Sequence, residues 1–116
     1  MTGSANQILA CLAARRFSCT SEDELQLAIA EVFDAAGIAH EREVYLSSVD
    51  RPDFLIGDIA VEVKTKGSRA EVIRQLYRYA SHSRVAAIVL ATTRAQHRMP
   101  ERISGKPVSV AYLGRL

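Results

Sequence analysis

The sequence predicts an α/β sandwich whose central sheet mixes parallel and antiparallel strands. Three observations lead there. Apolar stripes at helical spacing fill the first third of the chain, two β-like runs meet at Gly57-Asp58, and a continuous apolar run over 85–91 follows a further amphipathic segment. Read in order, the elements are two helices, three strands, a helix, a strand, a loop and a last strand (ααβββαββ), with the sheet flanked by helices.

Ser4 can cap a helix over 5–16, with Ile8, Leu9 and Leu12 on one stripe. Phe17 to Thr20 reads as a break. Ser21 can cap a second helix, and Glu24 three residues later completes a capping-box pattern. Its stripe is Leu25, Ala28, Ile29, Val32, Phe33 and Ala36, and Gly37 ends it. Strands are expected over 41–47, where Val44 and Leu46 alternate with Glu43 and Tyr45, then over 52–56 and 59–66. Gly67 and Ser68 open a third helix over 69–81 carrying Val72, Ile73, Leu76 and Ala80. The run 85–91 suits a strand covered on both faces. Residues 92–106, with Pro100 and Gly105, read as a loop or short helix, and 108–113 as the closing strand.

A chain of 116 residues is one domain's worth, and with 48% hydrophobic and 24% charged residues it can bury a core, which excludes a disordered chain. The net charge of +2 does not announce nucleic acid, but 12 of the 15 basic residues are arginine. Arginine forks onto phosphate with two donors; a GC-rich coding bias would give the same composition. Cys11 and Cys19 stand eight apart without a CxxC and without histidine at zinc spacing, so buried free thiols in a reducing cytoplasm are expected. No basic-then-apolar leader or membrane-length apolar run is visible, and a cytoplasmic protein with no membrane partner is expected.

The chemistry concentrates in Arg51-Pro52-Asp53-Phe54-Leu55-Ile56-Gly57-Asp58-Ile59-Ala60-Val61-Glu62-Val63-Lys64. Gly57-Asp58 has the Gly-X form of a type II′ hairpin turn. Paired residues across such a turn share a constant index sum of 115, which sets Asp53 opposite Glu62. Alternation then puts Lys64 on the face of Glu62, and Phe54, Ile56, Ile59, Val61 and Val63 on the core face. Leu55 and Ala60 share the polar face, so a helix is expected to cover part of it. Directly opposed residues hold their Cβ atoms about 5 Å apart, and like charges so placed repel. A Mg²⁺ ion would relieve the repulsion, polarise a phosphate and lower the pKa of a bound water. Lys64 would orient that water or stabilise charge on the phosphate. The alternative for Glu-x-Lys is a solvated strand face.

Pro52-Asp53, eight residues, then Glu62-Val63-Lys64 resembles the motif of the PD-(D/E)XK nuclease superfamily. The order helix, three strands, helix, strand over about 21–91 is similar to that superfamily's restriction-endonuclease-like core. Gln75-Leu76-Tyr77-Arg78-Tyr79 resembles the Gln-x-x-x-Tyr motif of its RecB-like branch. The resemblance implies catalytic Asp53, Glu62 and Lys64, and a metal, Mg²⁺ with Mn²⁺ able to substitute, on Asp53, Glu62 and a helix carboxylate. For the last, Glu24 is preferred on placement and Glu31 held in reserve. It also implies DNA binding by Gln75 and Tyr79, with Arg74 and Arg78 beside them to take backbone phosphates. Glu43 could reach the same face from the first strand; its alternative is a solvated or ion-paired residue. His40, His82 and His97 show no ligand spacing. The expected function is a metal-dependent deoxyribonuclease of replication, repair, recombination or a mobile element. The alternatives are a non-catalytic nucleic-acid-binding module and an assembly subunit on the same fold. So small a domain could also work as a homodimer.

Overall fold

The computed structural model of the chain describes residues 4–18 and 21–115. Helix α1 spans Ala5–Ala13, where Ser4 Oγ accepts from the Gln7 amide and Gln7 Oε1 accepts from the Ser4 amide. It ends three residues earlier than expected, and Arg16–Phe17 form a short strand, β1. Helix α2 spans Glu22–Ala35, with Ser21 Oγ accepting from the Glu24 amide and Gly37 at φ +71° beyond the last turn. Strands β2 (Glu41–Arg42), β3 (Phe54–Ile56) and β4 (Ile59–Lys64) follow, then α3 (Arg69–Ala80) capped by Ser68. Strands β5 (Ala87–Thr92), β6 (Arg102–Ile103), β7 (Lys106–Tyr112) and β8 (Gly114–Arg115) complete the chain.

Six strands form one mixed sheet in the order β2-β3-β4-β5-β7-β6, and β1 pairs with β8 separately. The hairpin β3/β4 and the outer pairs β2/β3 and β6/β7 are antiparallel, whereas β4, β5 and β7 run parallel. Two apolar layers sandwich the sheet. Ile8, Leu12, Leu25, Ile29 and Phe33 of α1 and α2 pack on one face against Phe54, Ile56, Val61 and Val63. On the other face Val72, Leu76, Tyr79 and Ala80 of α3 cover Leu55, Ala60, Ile88 and Leu90. The helical cover expected over Leu55 and Ala60 is therefore α3.

The strand expected over 41–47 is cut to two residues. Glu43 takes φ +52°, its amide bonds the Asp53 carbonyl at 3.1 Å, and the chain leaves the sheet. Val44 and Leu46 still pack partly buried against the α3 layer, so their alternation reports burial without pairing. Residues 44–51 form a loop pinned by Asp50, whose carboxylate accepts from Arg78 Nε at 3.0 Å and meets His82 Nε2 at 2.9 Å. These partners hold the Asp50 carboxyl below its ordinary value, His82 contributing most. The stretch 92–106 contains β6 besides its loop. His97, fully buried, ties that loop down: its ring nitrogens meet Thr92 Oγ1 and the Gly67 carbonyl, each at 2.7 Å.

Cys11 is half-buried, with Sγ donating to the Ile8 carbonyl, and burial raises its pKa; Cys19 lies outside the described residues. Among the described residues no helix is long and apolar enough to cross a membrane.

Candidate active site

The Gly57-Asp58 turn makes the site. Gly57 sits at φ +60°, which a type II′ turn asks of its first central residue, and Phe54 pairs with Val61, Leu55 with Ala60 and Ile56 with Ile59. Continued by one residue, this register sets Asp53 against Glu62, and the Asp53 amide donates to Glu62 Oε1 at 3.3 Å. Both residues lie where β3 begins and β4 ends, at the end of the sheet where the parallel strands finish. Lys64, two residues on from Glu62, places its ammonium 3.4 Å from Glu62 Oε2.

Each carboxylate is held by its own set of donors. Asp53 Oδ2 accepts from the Val63 amide at 2.7 Å and Oδ1 from Gln26 Nε2 at 3.0 Å. Glu62 Oε1 accepts from Tyr79 OH at 2.9 Å and Oε2 from Gln75 Nε2 at 3.0 Å. Gln75 Nε2 also lies 2.9 Å from Tyr79 OH, and Arg42 donates to Gln26 Oε1 at 3.3 Å. Glu62 is 4% exposed. Burial, then the charge of Asp53, raises its carboxyl to about 7, against the pull of Lys64 and Tyr79. Burial likewise raises Asp53 to about 6, with Glu22 adding to it and the Val63 amide and Lys64 opposing it.

Glu22 and Gln26 are the site residues that the sequence reading missed. Glu22 Oε1 accepts from the Thr65 amide at 3.1 Å and lies 3.3 Å from Thr65 Oγ1, so it stands against the end of β4. A signal was present. Glu22 lies three before Leu25 and seven before Ile29, and Gln26 lies three before Ile29 and seven before Phe33. Both are polar residues on the buried stripe of α2, and Gln26 is 7% exposed. Glu24 and Glu31 stand off the stripe and are exposed, and Glu43 is exposed beyond the end of β2. Among the described residues no three His, Cys, Asp or Glu side chains converge to hold a metal. Glu24, expected as the third ligand, lies on the exposed side of α2, and Glu22 is the α2 carboxylate whose charge acts on Asp53.

Tyr79 departs from expectation, whereas Gln75 keeps one side in a cleft. They share a helix face as i and i+4, but that face turns inward onto Glu62, and Tyr79 is 1% exposed. Tyr79 presents no surface to a partner; its hydroxyl also lies 3.4 Å from the Arg51 carbonyl, and burial followed by the Glu62 charge raises its pKa. Arg74 and Arg78 are exposed. They line a cleft of about 370 Å³ together with Lys64, Lys66, Glu71 and Gln75, so the cleft reaches Glu62 through Lys64 and Gln75, which both contact it. Arg78 is partly committed through its bond to Asp50.

Compared with known proteins, the chain matches no family model, no curated protein and no solved structure. The functional reading therefore rests on this geometry and its chemistry.

Proposed function

We propose that this chain is a metal-dependent nuclease of the PD-(D/E)XK type, on a restriction-endonuclease-like core, hydrolysing phosphodiester bonds in DNA. One observation carries the reading: two carboxylates, Asp53 and Glu62, stand against each other at the end of the parallel strands, with Lys64 alongside and joining them to a basic cleft. Such a pair has a cost in an isolated fold, because burial opposes ionisation of both, with the charge of Asp53 adding to it at Glu62 and that of Glu22 at Asp53. A hard divalent cation fits that donor set, since oxygen ligands of negative charge are what Mg²⁺ and Mn²⁺ take. Asp53 and Glu62 would hold it, and when bound it would supply Lewis acidity toward a phosphoryl oxygen and a more acidic water.

The remaining steps belong to the chain's own groups. Gln26 and the Val63 amide orient Asp53, and Tyr79 and Gln75 orient Glu62, so neither carboxylate needs to reorganise when charge develops. The Lys64 ammonium donates toward the phosphate or the attacking water and offsets the negative charge of the transition state. Arg74 and Lys66 receive flanking phosphates in the cleft.

A second reading, a nucleic-acid-binding or assembly protein without catalysis, is favoured by one observation. Every oxygen of Asp53 and Glu62 already accepts a hydrogen bond or ion pair from the chain. Incubation with linear, branched and single-stranded DNA separates the two. Cleavage is expected with Mg²⁺ or Mn²⁺ and not with EDTA. Asp53→Asn, Glu62→Gln and Lys64→Ala should each slow it by about a hundred-fold or more. A wild-type protein inert toward all three substrates with either metal would overturn the nuclease reading, and salt-dependent binding without cleavage would support the second.

A further inference from the structure

The cleft beside Lys64 does not end at α3. A second concavity of about 450 Å³ is lined by Ile73, Arg74, Tyr77 and Arg78. Arg74 and Arg78 line both, so the two concavities adjoin along these side chains and together make a groove across α3. At 3.6 residues per turn, Gln75, Arg78, Arg74 and Tyr77 succeed one another around the helix in steps of roughly 60° or less. The groove thus leaves Glu62 at Gln75, passes the two arginines and reaches the ring of Tyr77.

Its character changes along that course. The near part carries Lys64, Lys66, Arg74 and Arg78; Lys64 is paired with Glu62, Arg78 with Asp50, and the Glu71 carboxylate is bonded to Ser68 Oγ, so Lys66 and Arg74 are the cations left to a ligand. The far part is apolar, lined by Ile73 and by Tyr77, which is 59% exposed. Tyr77 is not needed by the core: the buried residues of α3 are Val72, Leu76, Tyr79 and Ala80. A flat, exposed ring flanked by cations and adjoining a phosphate-type cleft matches a ligand that alternates anionic groups with flat apolar ones.

We propose that this groove binds nucleic acid as a single strand, with an unpaired base stacked on Tyr77 and the adjoining phosphates on Arg74 and Lys66. A duplex supplies the phosphates but keeps its base faces stacked inside, so it leaves the apolar end of the groove unfilled. The inference rests on the nuclease reading and names the substrate form that the same site receives.

The test is fluorescence anisotropy of the wild-type protein in EDTA, with a labelled 12-nucleotide single-stranded DNA and the blunt duplex of the same sequence. The single strand should bind at least about ten-fold tighter than the duplex. Tyr77→Ala and Tyr77→Leu should each weaken single-strand binding by about ten-fold and leave duplex binding within about two-fold, while Tyr77→Phe retains wild-type affinity. Arg74→Ala should weaken both and flatten the salt dependence. Equal affinity for the two DNAs, no single-strand binding, or wild-type affinity in Tyr77→Ala and Tyr77→Leu overturns the proposal. Binding in EDTA involves no cleavage, so the two readings fail separately. A strand-selective protein that never cuts with Mn²⁺ sinks the nuclease reading alone, and one that cuts without selectivity sinks only the groove.

Discussion

Glu62 concentrates most of the site's chemistry in one residue. It is buried, paired with a second carboxylate, and approached by Lys64, Gln75, Tyr79 and the Asp53 amide. If the chain is a nuclease as proposed, Tyr79 acts through Glu62, as a positioning residue and not a catalytic one. Tyr79→Phe keeps the ring in its packing but removes the hydroxyl bonded to Glu62. We expect cleavage turnover to fall about ten-fold while KM stays within about two-fold, because the lost bond orients a charge and contacts no substrate. A rise in KM at constant kcat would instead return Tyr79 to a substrate-binding role. Loss of one hydrogen bond should cost about 1 kcal/mol in stability, so circular dichroism should show a folded protein.

At the scale of elements, the β3/β4 hairpin sets which side chains meet, and the helices decide what surrounds them. Gly57 matters because its φ of +60° is cheap for glycine alone. Gly57→Ala should destabilise the protein by about 1–2 kcal/mol in urea unfolding, and a variant as stable as wild type would mean that the turn is not under this constraint. Helix α2 reaches the site with its first two turns, where Glu22 and Gln26 continue the buried stripe. Helix α3 does two jobs on two faces: Gln75 and Tyr79 inward on Glu62, Arg74 and Tyr77 outward on the groove. The loop over 44–51 is locked to α3 through Asp50, Arg78 and His82, and this holds Arg51 and Pro52 beside the carboxylates.

For the molecule as a whole, the carboxylate pair leaves a mark on stability. Both carboxyls have folded pKa values above those of an unfolded chain, about 6 and about 7 against ordinary values near 4. The folded protein then holds protons that the unfolded chain has already released. Stability contributed by the pair is therefore lost as pH rises from about 4 through 7. Metal-free wild type should melt at a lower temperature at pH 8 than at pH 5.5. The drop should shrink by at least about 5 °C in the Asp53→Asn, Glu62→Gln double variant. Equal drops in the two proteins would show that the pair is not strained by burial. Mg²⁺ should raise the Tm at pH 8 saturably in wild type and not in the double variant, by mass action on the folded state.

What could be read from residues alone followed from short-range rules. Turn chemistry at Gly57-Asp58 and the two-residue strand period placed Asp53, Glu62 and Lys64 together, because a hairpin register is local and needs no knowledge of the rest of the chain. The caps Ser4, Ser21 and Ser68 and the stripes of three helices were legible for the same reason. The strand over 41–47 was misread because alternating burial arises in a packed loop as readily as in a paired strand, and only the left-handed Glu43 ended it. Tertiary structure alone decided the neighbours of Asp53 and Glu62. Which polar residue of α2 stood against β4, and which face of α3 turned inward, depended on how helices docked on the sheet. Docking buries apolar stripes, and the polar groups at their margins go wherever that burial carries them: Glu22 and Gln26 to the site, Glu24 to the surface.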